Sequence, residues 1–388
     1  MKSVRTFTAA AMLSVLAGCN SMNPVDWVSP EKSSTPPSKL VEMKNKLTPV
    51  VLWSADVGGG AEEHLLKLAP AISGGRVYLA NAKGMVVARD ANTGKTIWSK
   101  DTKTPASGGP GVGDGLVLIG TRDAEILALS ADTGEIKWRA RVSSEVLSVP
   151  KADAGVAVVH TLDGKLIGLD SSNGEKKWQY DYEVPVLSLR GSSSPVITGD
   201  AVICGLANGK LVALELSSGK LYWESVVGVS RGRNELDRMI DIDADPLVID
   251  QALFVATYQG DLAAISLKNG NVGWRRQLSS YAGLGGNYRQ IYVTDAQDHV
   301  WSFDPSNSTS MWKQTSLQYR RLTAPVPFGD YVVAGDYEGY LHWMKFEDGS
   351  IQARTKVGGS PITATPKVVG DVLYVYGDGG DFAAIKLP

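Results

Sequence analysis

The sequence predicts an all-β protein, an eight-bladed β-propeller whose ring is closed by the two ends of the chain. The first observation is a pattern that occurs seven times: a small residue, an alternating apolar strand, a turn ending in Gly, and then Trp. The second is the spacing, because the repeats start 38 to 51 residues apart, which suits a unit of several short strands. The third is an apolar strand with its own tryptophan, Trp53, ahead of the first repeat.

The repeats can be followed along the chain in order. Complete copies occupy residues 84–98, 124–138, 164–178, 209–223 and 260–274. Two copies are degraded, since residues 298–312 lack both glycines and the copy that starts at Gly339 carries Ala353 where Trp is expected. An eighth copy starts at Gly380, and the sequence ends before its Trp. We therefore expect the strand around Trp53 to pair with residues 381–387 and close the ring, which leaves no open sheet edge between the termini.

Each copy predicts the strands of one blade. In the second copy, residues 115–121 and 125–130 are strands, Gly134 ends a turn, and residues 135–142 form the outermost strand with Trp138. Gly supplies the positive φ that such a turn needs. Because the Trp recurs once per blade, we interpret it as packing between blades rather than as a sugar or quinone site.

The N-terminal residues predict a targeting segment. Lys2 and Arg5 precede a short apolar stretch that ends in the sequence Leu-Ala-Gly-Cys19. This end resembles the lipobox of bacterial lipoproteins, which implies cleavage before Cys19, acylation of that cysteine and, with Asn20 next, delivery to the outer membrane. The predicted organisation is a lipoprotein signal peptide (1–18), a lipidated Cys with a flexible tether (19–45), and the propeller (46–388). An ordinary secretory leader with a chance Cys is the alternative.

Charge and cysteine content exclude other classes. The formal net charge is −2, so the chain lacks the basic surface of a nucleic-acid binder. Apart from Cys19, only Cys204 is present, so no disulfide is expected within the propeller. Cys204 lies in an alternating strand and is interpreted as a small buried hydrophobe.

No catalytic, cofactor or metal site is expected, and the protein is interpreted as not an enzyme. None of the four histidines lies within four residues of another, so no metal pair is visible. The acidic stretch at 241–245 fits a turn as well as a metal loop. The Asp-x-x-Thr-Gly-x-x-x-Trp form at 90–98 resembles the pyrroloquinoline-quinone (PQQ) repeat of quinoprotein dehydrogenases. That resemblance implies the fold, but the adjacent cysteines of those enzymes are absent.

A proline precedes most blades, and the residues five positions before it should share one rim of the propeller. They include Glu145, Arg190, Asp241 and Arg320, which predicts a partly charged ring around one mouth of the channel. Leucines beside an arginine on a rim are typical of a protein-binding hot spot, and Leu187 and Leu189 lie next to Arg190 in this way. A longer loop with its leucines packed inward is the alternative.

These features together resemble one family over essentially the whole chain: outer-membrane protein assembly factor B, the propeller lipoprotein of the bacterial β-barrel assembly machinery. The most specific stretches are residues 184–191, 236–246 and 338–349. The resemblance implies a non-catalytic scaffold that binds the POTRA domains of the barrel subunit. It further implies that this docking surface consists of Leu187, Leu189, Arg190, Asp241 and Asp243.

The resemblance also implies a place in the cell and a set of partners. The protein would be lipid-anchored to the outer membrane of a Gram-negative bacterium, on its periplasmic face. A further hypothesis is that blade edges bind nascent outer-membrane proteins by β-augmentation. Two alternatives from other classes stay open: a periplasmic PQQ-dependent oxidoreductase, and a glycan-binding propeller that uses Tyr281, Tyr288 or Tyr319.

Overall fold

The structure is a computed structural model, and it describes residues 35–62, 66–189, 191–229 and 239–388. In these ranges every regular element is a β-strand, and the strands form eight sheets. Residues 37–388 make up one compact unit. The fold confirms the predicted eight-bladed propeller. In the same ranges, no helix is long and apolar enough to cross a membrane.

The strands follow one another in blade order. The first group is β1 (Val50–Asp56), β2 (Lys67–Leu68), β3 (Ala71–Ser73), β4 (Arg76–Ala80), β5 (Met85–Asp90) and β6 (Thr96–Asp101). The second and third blades add β7 (Ala106–Gly113), β8 (Leu116–Thr121), β9 (Glu125–Ser130), β10 (Ile136–Arg141), β11 (Lys151–Asp153), β12 (Val156–Thr161), β13 (Lys165–Asp170) and β14 (Lys176–Asp181). The fourth and fifth comprise β15 (Val196–Thr198), β16 (Ala201–Gly205), β17 (Lys210–Glu215), β18 (Leu221–Val226), β19 (Leu247–Ile249), β20 (Ala252–Ala256), β21 (Asp261–Ser266) and β22 (Val272–Gln277).

The last three blades complete the ring. They contain β23 (Leu284–Gly286), β24 (Ile291–Thr294), β25 (Val300–Phe303), β26 (Ser310–Gln314), β27 (Val326–Phe328), β28 (Tyr331–Gly335), β29 (Tyr340–Lys345), β30 (Ile351–Lys356), β31 (Lys367–Val369), β32 (Val372–Tyr376) and β33 (Asp381–Lys386). β1 pairs antiparallel with β33, from Val50 opposite Lys386 to Asp56 opposite Asp381. The predicted closure by the two chain ends is therefore confirmed.

The repeated Trp and Gly form one joint between neighbouring blades. The indole N–H of Trp98 donates to the carbonyl oxygen of Ala131 in the next blade at 3.0 Å. Gly134 lies against the same ring, and a Cβ there would be 2.5 Å from Trp98 Cε3. Gly134 also has φ of +72°, so both the backbone conformation and the ring require Gly.

This joint recurs around the ring. Seven tryptophans donate to a carbonyl of the next blade at 2.8 to 3.1 Å: Trp53, Trp98, Trp138, Trp178, Trp223, Trp274 and Trp312. The interpretation of the Trp array as packing between blades is confirmed. In the degraded sixth blade, Ser308 keeps the left-handed turn with φ of +61°. In the seventh, Ala353 lies opposite Trp343, a fully buried ring on the neighbouring strand that fills the space instead.

Two features differ from the expectation. β2 adds a fifth, parallel strand to the inner edge of the second blade, where Lys67 lies opposite Gly108. The segment expected as flexible tether up to residue 45 contacts the propeller from Ser38 onward. The Ser38 N–H donates to the Gln318 carbonyl oxygen at 2.9 Å, and the side-chain amide of Asn45 donates to the Arg354 carbonyl oxygen at 3.1 Å. The predicted signal peptide, Cys19 and the first part of the tether lie outside the described residues.

Candidate partner-binding site

Two loops at the same rim bring the predicted site residues together. One loop joins β14 to β15 and carries Leu187 and Leu189, and the other joins β18 to β19 and carries Asp241 and Asp243. We call these four residues the rim patch. The fifth predicted residue, Arg190, lies outside the described residues.

The contact between the loops follows a regular spacing. Asp241 Oδ2 accepts the N–H of Leu189 at 3.1 Å. A Cβ on Gly191 would lie 2.5 Å from Asp243 Oδ1, so the second carboxylate sits directly against the first loop. Asp245 Oδ1 accepts the N–H of Ser194 at 2.7 Å. Alternate residues of the acidic loop therefore face the leucine loop, as expected for an extended backbone.

The apolar side chains of the leucine loop differ in exposure. Val186 is fully exposed and Leu187 is 42% exposed, while Leu189 is half-buried. The alternative, in which the leucines of this loop pack inward, therefore applies only to Leu189, and to that side chain only in part. Val186 and Leu187 form an exposed apolar pair at the rim. In many protein interfaces, apolar side chains of this kind become fully buried at the centre of the contact when the partner binds.

The two carboxylates of the rim patch lie in an environment that disfavours their charge. Burial raises the pKa of Asp241, and the neighbouring charge of Asp243 raises it further, against the hydrogen bond from Leu189. Burial also raises the pKa of Asp243, against the charge of Lys67. Asp243 Oδ1 is buried, and it has no hydrogen-bond partner in the described part of the chain. A donor supplied from outside would lower the cost of keeping this pair ionised.

Lys67 holds both loops from inside the ring, and the sequence analysis missed it. Its Nζ donates to the carbonyl oxygen of Ser192 at 3.0 Å, to the carbonyl oxygen of Asp243 at 3.2 Å and to Asp245 Oδ1 at 2.6 Å. Burial would raise the pKa of Asp245, but Lys67 and the Ser194 N–H hold it below its usual value. The only sequence signal was a lysine between two leucines, which does not identify contacts 125 and 178 residues away.

A buried histidine supports the same loop from the third blade. Because the Ser193 carbonyl oxygen only accepts, His160 Nδ1 carries the proton and donates to it at 2.9 Å. His160 Nε2 then accepts from the Tyr182 hydroxyl at 2.8 Å. Burial lowers the pKa of His160 from 6.5 to about 4, so the ring is neutral at pH 7. Cys204 contacts this ring and is fully buried, as predicted, and burial raises the pKa of its thiol.

The expected charged ring around the channel mouth is wrong for Asp241, which is only 2% exposed, and for Arg320, which is equally buried. Its Nε and Nη2 donate to Asp336 Oδ2 at 2.9 and 2.7 Å, and Nη2 also pairs with Glu338. Its Nη1 donates to the Ser38 carbonyl at 2.9 Å, and His342 Nε2 lies 2.8 Å from Asp336 Oδ2. We call Arg320, Asp336, Glu338 and His342 the Arg320 cluster. The position of Arg320 in the repeat predicted that it lies on the rim. A position in the repeat does not indicate whether the side chain there is buried.

The remaining candidate groups do not assemble into a metal site. His160 and His342 are used as described above, and His299 Nδ1 lies 2.9 Å from Asp295 Oδ2. In the described ranges, no group of three or more His, Cys, Asp or Glu side chains is placed to hold a metal ion. His64 lies outside those ranges. Of the three tyrosines of the glycan alternative, Tyr288 is 70% exposed, Tyr281 is 42% exposed and Tyr319 is half-buried.

Comparison with known proteins gives consistent results. The family model described as outer membrane protein assembly factor BamB matches residues 41–106 and 82–314. Outer membrane protein assembly factor BamB of Alkalilimnicola ehrlichii is 54% identical over 87% of this chain and 88% of that protein. The protein of the same name from Pseudomonas aeruginosa is 46% identical over 97% of both chains.

A solved structure agrees with the sequence relatives. The crystal structure of BamB from Moraxella catarrhalis superposes with a TM-score of 0.80 at 27% identity, covering 87% of this chain and 100% of that one. Family model, full-length relatives and fold thus agree with the resemblance drawn from the repeats and the rim residues. The chain belongs to the outer membrane protein assembly factor BamB family.

Proposed function

We propose that the chain is a non-catalytic scaffold subunit of the outer-membrane β-barrel assembly machinery, and that its rim patch binds the POTRA domains of the barrel subunit. The observation that carries this proposal is the construction of the patch. Two loops of adjacent blades are fixed from below by Lys67 and His160, while the apolar pair of Val186 and Leu187 stays exposed above them. A rigid base under an exposed apolar pair reduces the ordering entropy that binding costs.

The chemistry of the patch indicates what a partner must offer. An apolar side chain would cover Leu187, and a cationic side chain or an N–H group would reach Asp243 Oδ1, which has no partner among the described residues. Since burial raises the pKa of both Asp241 and Asp243, a positive charge brought by the partner would favour their ionised forms. Arg190 belongs to this proposed surface by sequence position. We infer a contact with an apolar centre and charged contacts around it.

Lipid anchoring would determine where the scaffold acts. Acylation at Cys19, after removal of residues 1–18, would hold the propeller on the periplasmic face of the outer membrane. Confinement to the membrane raises the effective concentration of the propeller beside the barrel subunit. Nascent outer-membrane proteins are a further proposed partner, through strand addition at the outer edges of blades.

Co-purification from gently solubilised membranes tests the proposal. The tagged wild type should recover a barrel protein with POTRA domains, and Arg190→Glu should lose it. Arg141→Glu is the matched control, because Arg141 is an exposed arginine on the outer strand of the second blade. Loss in both variants, or in neither, contradicts the proposed site. Recovery of no POTRA protein by the wild type contradicts the proposed function.

The oxidoreductase alternative has an independent test. A ligand that binds only the native state raises the melting temperature by mass action. The proposal predicts that PQQ with calcium leaves the melting temperature of the purified protein unchanged. A saturable rise would favour a quinoprotein instead.

A further inference from the structure

One repeat position around the central channel carries two lysines among apolar or small residues. It is the residue that follows the proline at the entry to a blade. Its occupants are Ala71, Gly111, Lys151, Val196, Leu247, Val326 and Lys367. In each case this residue lies on the first antiparallel strand of its blade, opposite an apolar or aromatic residue of the next strand outward. Lysine at two of these positions is therefore a departure from the repeat.

Both lysines lie on strands that line the axis of the ring. β11 and β31 are the innermost strands of the third and eighth blades, so Lys151 and Lys367 approach the axis from different sides. Lys151 is half-buried and Lys367 keeps access to water, as expected of side chains that line a channel. Burial among protein atoms nevertheless lowers the pKa of both ammonium groups, and the charge of Lys367 lowers that of Lys151 further. The two positive charges therefore act on the same space.

The charged neighbours of this pair include one carboxylate, Asp245, whose charge favours the charged form of both lysines. In the described part of the chain, the groups that act on them are Lys67 and Asp245. Lys67 donates to Asp245 and to two carbonyl oxygens, and Asp245 also accepts the N–H of Ser194. This one carboxylate is thus shared among three lysines, and its direct ion pair is with Lys67. Lys151 and Lys367 form no hydrogen bond or ion pair with any described residue.

We propose that the central channel binds a small multivalent oxyanion of the phosphate type between the ammonium groups of Lys151 and Lys367. Two positive charges inside a ring of protein atoms attract an anion more strongly than the same charges on an open surface. Water reaches the site, so an ion of this size can enter and exchange. An oxyanion offers several acceptors to six ammonium hydrogens that have none in the described structure.

Phosphate titration of the mature full-length lipoprotein tests this site. Isothermal titration with inorganic phosphate, at ionic strength held constant with chloride, should show saturable binding. The variant Lys151→Met/Lys367→Met should bind at least tenfold more weakly. The matched control Lys95→Met/Lys100→Met removes two exposed lysines and should bind like the wild type.

Thermal unfolding in the same buffers separates a bound ion from general screening. Phosphate should raise the melting temperature of the wild type and the control, and should leave that of the channel variant unchanged. Equal rises in all three proteins would overturn the proposal, because they would show a bulk salt effect. Absence of saturable phosphate binding to the wild type would overturn it too, whether or not the double variant folds. Neither readout depends on the barrel subunit, so this proposal can fail while the proposed function stands.

Discussion

Asp241 of the rim patch and Arg320 of the Arg320 cluster occupy equivalent positions of the repeat and are both 2% exposed, yet the residues around them differ in exposure and in hydrogen bonding. Arg320 is 2% exposed and bonds to two carboxylates and the Ser38 carbonyl. In the rim patch, Leu187 is 42% exposed and Asp243 Oδ1 has no partner among described residues. The same position of the repeat can therefore form buried contacts within the propeller in one blade and lie beside an exposed surface in another.

The pKa values of the carboxylates show the same contrast. Burial acts to raise the pKa of Asp336, but its bonds to His342 and Arg320 hold it below the usual value. The pKa values of Asp241 and Asp243 are raised, because burial is not offset in the same way. Satisfied buried charge indicates a structural role, and unsatisfied charge at an exposed rim indicates a site that a partner completes.

The largest expected effect is on the stability of the Arg320 cluster. Arg320→Met leaves Asp336 buried without its cation, which should lower the free energy of unfolding by about 3–5 kcal/mol. Urea denaturation measures this change. Arg321→Met is the control, because Arg321 is the exposed neighbour and should change stability by less than about 0.5 kcal/mol. If both variants lose the same free energy of unfolding, the buried Arg320 cluster contributes no more to stability than an exposed arginine does.

A pH profile sharpens the comparison at the base of the rim patch. The pKa of His160 is lowered in the folded protein, so the unfolded chain binds more protons between pH 6.5 and about 4. The stability that this histidine contributes is present above pH 6.5 and should fall by a few kcal/mol as the pH drops to 4. His160→Gln should flatten the pH dependence of the unfolding free energy over this interval. Parallel profiles for wild type and variant would show that His160 does not titrate there.

A single methyl group should disturb the rim patch without disturbing the ring. Gly191→Ala places a Cβ 2.5 Å from Asp243 Oδ1 and must displace that carboxylate. We expect affinity for the POTRA domains to fall by about 1–2 kcal/mol, roughly tenfold, with stability nearly unchanged. Gly359→Ala is the control, since nothing lies within 4 Å of a Cβ there. If Gly191→Ala lowers the affinity no more than Gly359→Ala does, Asp243 is not part of the binding surface.

The fold could be predicted because its determinants are local and repeated. Gly134 and Trp98 lie in adjacent copies, and the joint between them is repeated often enough to be recognised. Trp53 predicted ring closure for the same reason, since it belongs to an apolar strand of the repeated type that lies ahead of the first repeat. The sequence shows that Ala353 breaks the repeat pattern. It does not show that Trp343 fills the space left by the missing Trp, because this depends on the pairing of Trp343 with Ala353 across two strands.

The site was predictable only in part. The spacing from the blade prolines brought Asp241 to the leucine loop, and Asp241 does bond to Leu189 there. The same rule placed Arg320 on an open rim, because spacing reports position and not burial. The role of Lys67 could not be predicted from the sequence. Lys67 lies on a two-residue strand, and its side chain donates to groups in loops of other blades that are distant in sequence.

The affinity of the POTRA domains for Leu187→Ser tests the central claim most directly. Leu221→Ser is the matched control, because Leu221 is 43% exposed on an outer strand and Leu187 is 42% exposed at the rim. If the rim patch binds the POTRA domains, Leu187→Ser should weaken binding about tenfold, as loss of a buried apolar contact would, while Leu221→Ser should bind like the wild type. Equal affinities for the two variants would contradict the assignment of the rim patch as the partner-binding surface.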